Sequence, residues 1–180
     1  NPWVETPAID QLAGESVLFN NFFVSPVCAP TRASLLTGRY YLRTGVTGVT
    51  RGRENMSLEE QTMADIFSEN GYVTGTFGKW HNGAHYPYHP NGRGFDEFYG
   101  FCSGHWTNYF NTELERNGKK VRSSGYIVDD ITDKALALIN MRKWGWMISM
   151  LPFMACAIIL ITMLGGCSKS LMSWESGKIL

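Results

Sequence analysis

Cys28 and Arg32 stand one helical turn apart in the run Cys28-Ala29-Pro30-Thr31-Arg32-Ala33-Ser34-Leu35-Leu36-Thr37-Gly38-Arg39. Pro30 has no backbone N–H to lose and its fixed φ suits a first helical turn, while Gly38 supplies a stop, so a short helix is expected from about Ala29. The free N–H groups and positive dipole end of that helix surround Cys28 and favour an anion there. Arg32 adds a planar fork of fixed positive charge, which suits a tetrahedral oxyanion such as sulfate or phosphate. By residue type alone Cys28 has three readings: a thiolate nucleophile, half of a disulfide, or a small buried hydrophobe.

A second chemical cluster closes the run Gly71-Tyr72-Val73-Thr74-Gly75-Thr76-Phe77-Gly78-Lys79-Trp80-His81. Its β-formers predict a strand ending in a cation and an imidazole two residues apart. Alternate strand positions share a face, so Lys79 and His81 can point into one site, beyond the carboxyl end of a strand, where α/β sheets place ligands. The bland reading of Lys-Trp-His is a solvated strand end with a packed indole.

Both runs resemble signatures of one family, the sulfatases. The first fits C-x-P-[ST]-R-x-x-x-L-T-G-R, and the second fits G-Y-x-T-x-x-x-G-K-W-H, with Phe77 where a smaller apolar residue is common. Weaker echoes are Asn1 to Phe23, similar to the elements before the first signature, and Gly94 to Phe101, similar to the turn after the second. The resemblance covers about residues 1–139.

The resemblance implies a sulfuric ester hydrolase whose cysteine, here Cys28, is oxidised to formylglycine by a maturing enzyme. One hydroxyl of its hydrate, activated beside calcium, attacks a sulfate ester. Arg32 would anchor the formylglycine and the metal-site carboxylates, and Lys79 would bind the sulfate oxygens. His81 would take the proton of the second hydroxyl as the aldehyde re-forms and sulfate leaves. Of the family's calcium ligands only the modified Cys28 can be placed, and a hard cation wants six or more oxygens. This chain is therefore expected to be inactive. Two rival readings are a non-catalytic, membrane-tethered or gene-fusion fragment and a phosphatase-like hydrolase of the same superfamily working through the unmodified thiol.

Around these residues, length and composition describe one modest domain: 180 residues, 44% hydrophobic, net charge zero, with nothing that points to nucleic acid. The sequence predicts an α/β fold with a largely parallel sheet flanked by helices, a partial alkaline-phosphatase-like sulfatase domain over residues 1–140. A helix is expected from Thr6-Pro7, then a β-prone run from Ser16 to Val24. Ser57-Leu58-Glu59-Glu60 reads as a capping box opening a helix that turns Met63, Ile66 and Phe67 inward and ends at Asn70-Gly71. Asn117-Gly118 marks a hairpin, and Ile127, Ile131, Ala135 and Leu138 form one face of a later helix. The adjacent Asp129 and Asp130 are placed on its solvated face. A Cys28–Cys102 bridge has no support in the pattern.

Residues 141–168 differ in kind, and 169–180 follow as a short polar tail. From Trp144 to Ser168 there is no charged side chain. As a helix, Trp144 to Leu164 would span about 31 Å, enough for a bilayer core. A membrane association through residues 144–164 is therefore expected, although sulfatases are typically periplasmic, secreted or lysosomal. Met141-Arg142-Lys143, the apolar stretch and Leu164-Gly165-Gly166-Cys167-Ser168 also resemble a bacterial lipoprotein signal, with Cys167 as the residue to be lipidated.

Overall fold

The computed structural model describes Trp3 and residues 5–141, 147–150 and 157–163. Helix α1 (Pro7–Gly14) is followed by α2 (Cys28–Thr37), a 3-10 turn at Tyr41–Thr44, and α3 (Met63–Glu69). Strands β1 (Tyr72–Lys79), β2 (Glu97–Phe101), β3 (Glu113–Arg116) and β4 (Lys119–Arg122) precede α4 (Ile127–Met141), and β5 (Met147–Met150) and β6 (Ala157–Met163) follow it. The six strands form one sheet in the order β4-β3-β2-β1-β6-β5.

The architecture is α/β as expected, but the sheet is mixed and not largely parallel. Only β1 and β2 run parallel; β2–β3, β3–β4, β1–β6 and β5–β6 are antiparallel. The hairpin turn causes one of these reversals. Asn117 (φ 48°) and Gly118 (φ 79°) are both left-handed, the turn geometry that matches the twist of two antiparallel strands, and Arg116 pairs with Lys119 across it.

The expected C-terminal hydrophobic helix over 144–164 is corrected where that stretch is described: residues 147–150 and 157–163 are strands. An apolar run alone does not choose between helix and strand. Here Ile158, Ile159 and Ile161 are β-branched, and β6 registers residue by residue along β1 from Tyr72–Met163 to Gly78–Ala157. Among the described residues no helix is long and apolar enough to cross a membrane. Cys167 and the polar tail lie outside the described residues.

Helices cover both faces of the sheet. Ile127, Ile131, Ala135 and Leu138 of α4 are buried against Phe77, Tyr99, Phe101 and Leu114. On the other side Ala29, Ala33 and Leu36 of α2 and Ala64 of α3 pack with Val46, Met56, Trp80, Phe95 and Phe98. This second core carries the functional segments, because α2 and the end of β1 meet inside it.

Three local expectations change. The capping box of α3 is Thr62 with Asp65, not Ser57 with Glu60: Thr62 Oγ1 accepts from the Asp65 N–H at 3.2 Å and Asp65 accepts from the Thr62 N–H at 2.8 Å. Glu60 is committed elsewhere, accepting from Arg39 at 2.8 and 3.0 Å. Ile66 faces solvent, while Ala64 is buried and Phe67 packs against the core as expected. Residues 16–24 form no strand, and Val17, Leu18, Phe19, Phe22 and Phe23 are exposed. Finally Asp130 is buried, not solvated, and accepts a short hydrogen bond from the Tyr99 hydroxyl. Burial and that carboxylate push the Tyr99 hydroxyl well above its usual range.

Candidate active site

Cys28 is the first residue of α2, after an extended Val27, and Gly38 closes the helix in the left-handed region. The Gly38 N–H caps the Ser34 carbonyl at 2.9 Å. Local chemistry alone accounts for this helix, with its proline near the start and glycine past the end.

Strand β1 ends at Lys79, and the chain then leaves sheet geometry at His81, whose φ is +63°. A histidine in the left-handed region is uncommon, and such conformations gather at functional sites. The backbone stays anchored: the Trp80 N–H donates to the Phe101 carbonyl at 2.9 Å and the His81 N–H to that of Cys102 at 3.2 Å. Simple strand alternation therefore does not bring Lys79 and His81 together.

The turn carries the His81 ring to Cys28. His81 Nδ1 lies 3.0 Å from Cys28 Sγ, and His81 Nε2 lies 2.9 Å from the Val49 carbonyl oxygen. A carbonyl only accepts, so Nε2 carries the ring proton and the Nδ1 lone pair of the neutral ring faces residue 28. Burial pushes the imidazole below its usual value, the Val49 carbonyl opposes that, and the positive charges of Lys79 and Arg32 add to the lowering. The ring thus stays an uncharged base to lower pH than an exposed histidine.

Arg32 is buried and faces the same strand end. Its Nε donates to the Trp80 carbonyl at 2.5 Å, and a terminal nitrogen makes a short bond to the Lys79 carbonyl. Two donors of the fork thus hold backbone, tying α2 to the end of β1. Lys79 is also buried, and no carboxylate pairs with its ammonium among the described residues. Cys28 is part-buried and Cys102 is a free thiol with it, so no bridge joins them. Burial pushes the Cys102 thiol up to about 12.

Sequence reasoning missed four contributors. The Val49 carbonyl is a main-chain group that leaves no trace in residue type. Asn82, fully buried, donates to the Ala29 carbonyl at 3.1 Å and locks the residue after the imidazole onto the start of α2. Glu54 lies close enough for its charge to be felt at His81. Gly104 sits against the imidazole, for a Cβ there would fall 2.3 Å from His81 Cε1. The glycine between Ser103 and His105 was the one available signal, since glycine often marks a close approach.

The described residues do not make a calcium cage. Near His81 the described residues offer the buried Glu54 Oε2 and Asn82 Oδ1, both without hydrogen-bond donors, and two oxygens fall short of the six or more that calcium takes.

The Sulfatase family model matches residues 1–152. Arylsulfatase G of Canis lupus familiaris is 45% identical over 109 residues, covering 57% of this chain and 20% of that protein. The crystal structure of Ps i-CgsB superposes with a TM-score of 0.70 at 34% identity, over 76% of this chain and 36% of that one. The structure of BT4656 in complex with its substrate D-glucosamine-2-N,6-O-disulfate gives a TM-score of 0.63 at 29% identity, over 77% of this chain and 27% of that one. This chain spans about a fifth of the length of the curated relatives it matches. With the family model covering most of its residues, the chain belongs to the sulfatase family.

Proposed function

We propose that the chain supplies the nucleophile and its base to a sulfuric ester hydrolase, with Cys28 as the residue converted to formylglycine. The observation that carries the reading is the Cys28 Sγ to His81 Nδ1 approach of 3.0 Å with Nε2 held by Val49. The formylglycine hydrate supplies a hydroxyl that attacks sulfur and a second hydroxyl whose proton can leave. The chain's own residues do the rest. His81 Nδ1, uncharged and unprotonated, accepts the proton released at residue 28. The Val49 carbonyl keeps the ring from turning over and favours the cation that forms. Arg32 fixes the backbone of Lys79 and Trp80, so the Lys79 ammonium and the His81 ring keep their places relative to α2. Lys79, buried with its charge uncompensated by a carboxylate among the described residues, is the cation placed to meet sulfate oxygens. Calcium is the family's expectation, but no step is assigned to it, because the oxygens present do not enclose it. A sulfated sugar is the substrate class to test first, given the ligand bound by BT4656.

The experiment is chemical. Coexpressed with a formylglycine-generating enzyme, the Cys28 peptide should lose its sulfur and gain a carbonyl that reacts with hydrazide, as read by mass spectrometry. Cys28→Ser should stay unmodified. If Cys28 remains a thiol that iodoacetamide alkylates in full, the thiol-hydrolase reading takes over, since a Cys–His pair at this distance also fits it.

A further inference from the structure

On the far side of β2 from Phe101, outside the pair just described, three side chains of different chemistry converge. His89, Cys102 and Glu115 each offer one ligand atom, and these atoms lie within 4.8 Å of one another. We propose that they form a binding site for a borderline transition-metal dication, zinc above all, with a fourth position open to water.

The sheet builds two of the ligands. Glu115 on β3 stands opposite Gly100 on β2, and Cys102 follows directly on β2, so alternation sets the two side chains diagonally on one face. Phe98 shares that face and holds the third ligand, its ring meeting that of His89 edge-on with centroids 5.2 Å apart. Outer contacts orient the set: the Gly118 N–H donates to Glu115 Oε1 at 3.1 Å and the Asn91 N–H donates to His89 Nδ1 at 3.2 Å. The Glu115 contact is an outer support of the kind that orients metal ligands, while the Asn91 contact sets the ring only in the metal-free state.

The chemistry of the set selects the ion. Sulfur, imidazole nitrogen and one carboxylate oxygen suit zinc, whereas calcium takes oxygen throughout. Zinc bonds of about 2.0–2.3 Å put tetrahedral ligands roughly 3.3–3.7 Å apart, so the trio closes by no more than about 1–1.5 Å at its widest pair. His89 Nε2 and Glu115 Oε1 already touch in a short hydrogen bond, because the Asn91 contact leaves the ring proton on Nε2. The metal takes the place of the Nε2 proton and of the Cys102 thiol proton, of which only the thiol proton leaves to the buffer. The proton that the neutral ring keeps moves to Nδ1, so the Asn91 contact opens on binding. Glu115 keeps a route from solvent, its side chain 27% exposed.

The test uses the full 180-residue chain with Co²⁺ as a coloured stand-in for zinc. One equivalent should produce a thiolate-to-cobalt charge-transfer band and tetrahedral d–d bands, bleached by zinc and untouched by excess calcium. The band should persist in Cys28→Ser and vanish in Cys102→Ser. Glu115→Gln, which keeps size and shape, should weaken binding by at least roughly 10–100-fold, the span for losing even an outer-shell partner. In the native chain the Asn91 amide should exchange its hydrogen faster once metal is bound. No thiolate band in the native chain, or a band that survives Cys102→Ser, overturns the site and leaves a hydrogen-bonded cluster. The readout does not depend on residue 28, so failure of the formylglycine reading leaves it intact.

Discussion

In a sulfatase that completes the calcium site around these residues, His81→Gln is expected to slow turnover of a sulfate ester roughly 10²–10⁴-fold, the contribution of a positioned proton acceptor, with little change in KM. Glutamine keeps a hydrogen-bonding side chain but offers no lone pair of comparable basicity at the Nδ1 position. Gly104→Ala should act on the same ring without removing it. The new methyl would lie 2.3 Å from Cε1 and 2.4 Å from Nε2 of the imidazole, so the ring must leave the Val49 carbonyl and with it residue 28. Steady-state kinetics on an aryl sulfate decide both. Unchanged kcat in His81→Gln would remove this histidine from the reaction, and an unperturbed Gly104→Ala would show that the ring has room to spare.

Arg32→Met is expected to strike stability as hard as activity. The substitution keeps an apolar stem but removes the donors that meet the Lys79 and Trp80 carbonyls inside the core. Leaving each without its partner costs about 1–3 kcal/mol, together roughly 2–6 kcal/mol. Native domains hold only about 5–15 kcal/mol in total. The urea midpoint should fall steeply, and Arg32→Lys should recover little of it, because one ammonium cannot reproduce a fork aimed at two oxygens. A midpoint equal to that of the native chain would mean that the guanidinium serves only the ligand. The expectation from sequence, an arginine pointed at an oxyanion, overlooked the backbone it was holding.

What could be read without coordinates was local. The bounds of α2 follow from Pro30 and Gly38, the hairpin from Asn117-Gly118, and the inner face of α4 from apolar spacing, because each depends on neighbours a few residues away. The rest is set by distant partners. Two similar Ser/Thr-x-x-acid patterns lie side by side before α3, and only the Arg39 contact to Glu60 explains why the second one caps the helix. The isoleucine-rich stretch after residue 156 is apolar enough for either structure, and the open flank of β1 makes it a strand. In the site the reactive residue types were legible, but their agreement was not. Nothing in the order of residues tells that His81 turns left-handed, or that a carbonyl 32 positions upstream fixes its proton.

If Cys28 is converted as proposed, the burial of the first signature sets a clock on that maturation. In the folded chain Ala29 and Pro30 are buried, Arg32 is 8% exposed, and its guanidinium is locked onto carbonyls 47 and 48 residues away. An enzyme that reads Cys28-x-Pro30-x-Arg32 can grip those side chains only before α2 docks on β1. His81 emerges 53 residues after Cys28, which at about 5–20 residues per second of synthesis leaves a delay of roughly 3–10 s before the core can close. Under the formylglycine proposal, modification and folding compete, and a chain that folds first would keep its thiol. Incubated with the maturing enzyme, an extended peptide of residues 22–40 should be converted readily, while the folded thiol protein should resist until denaturant frees α2; equal rates for both would mean that the helix undocks on its own.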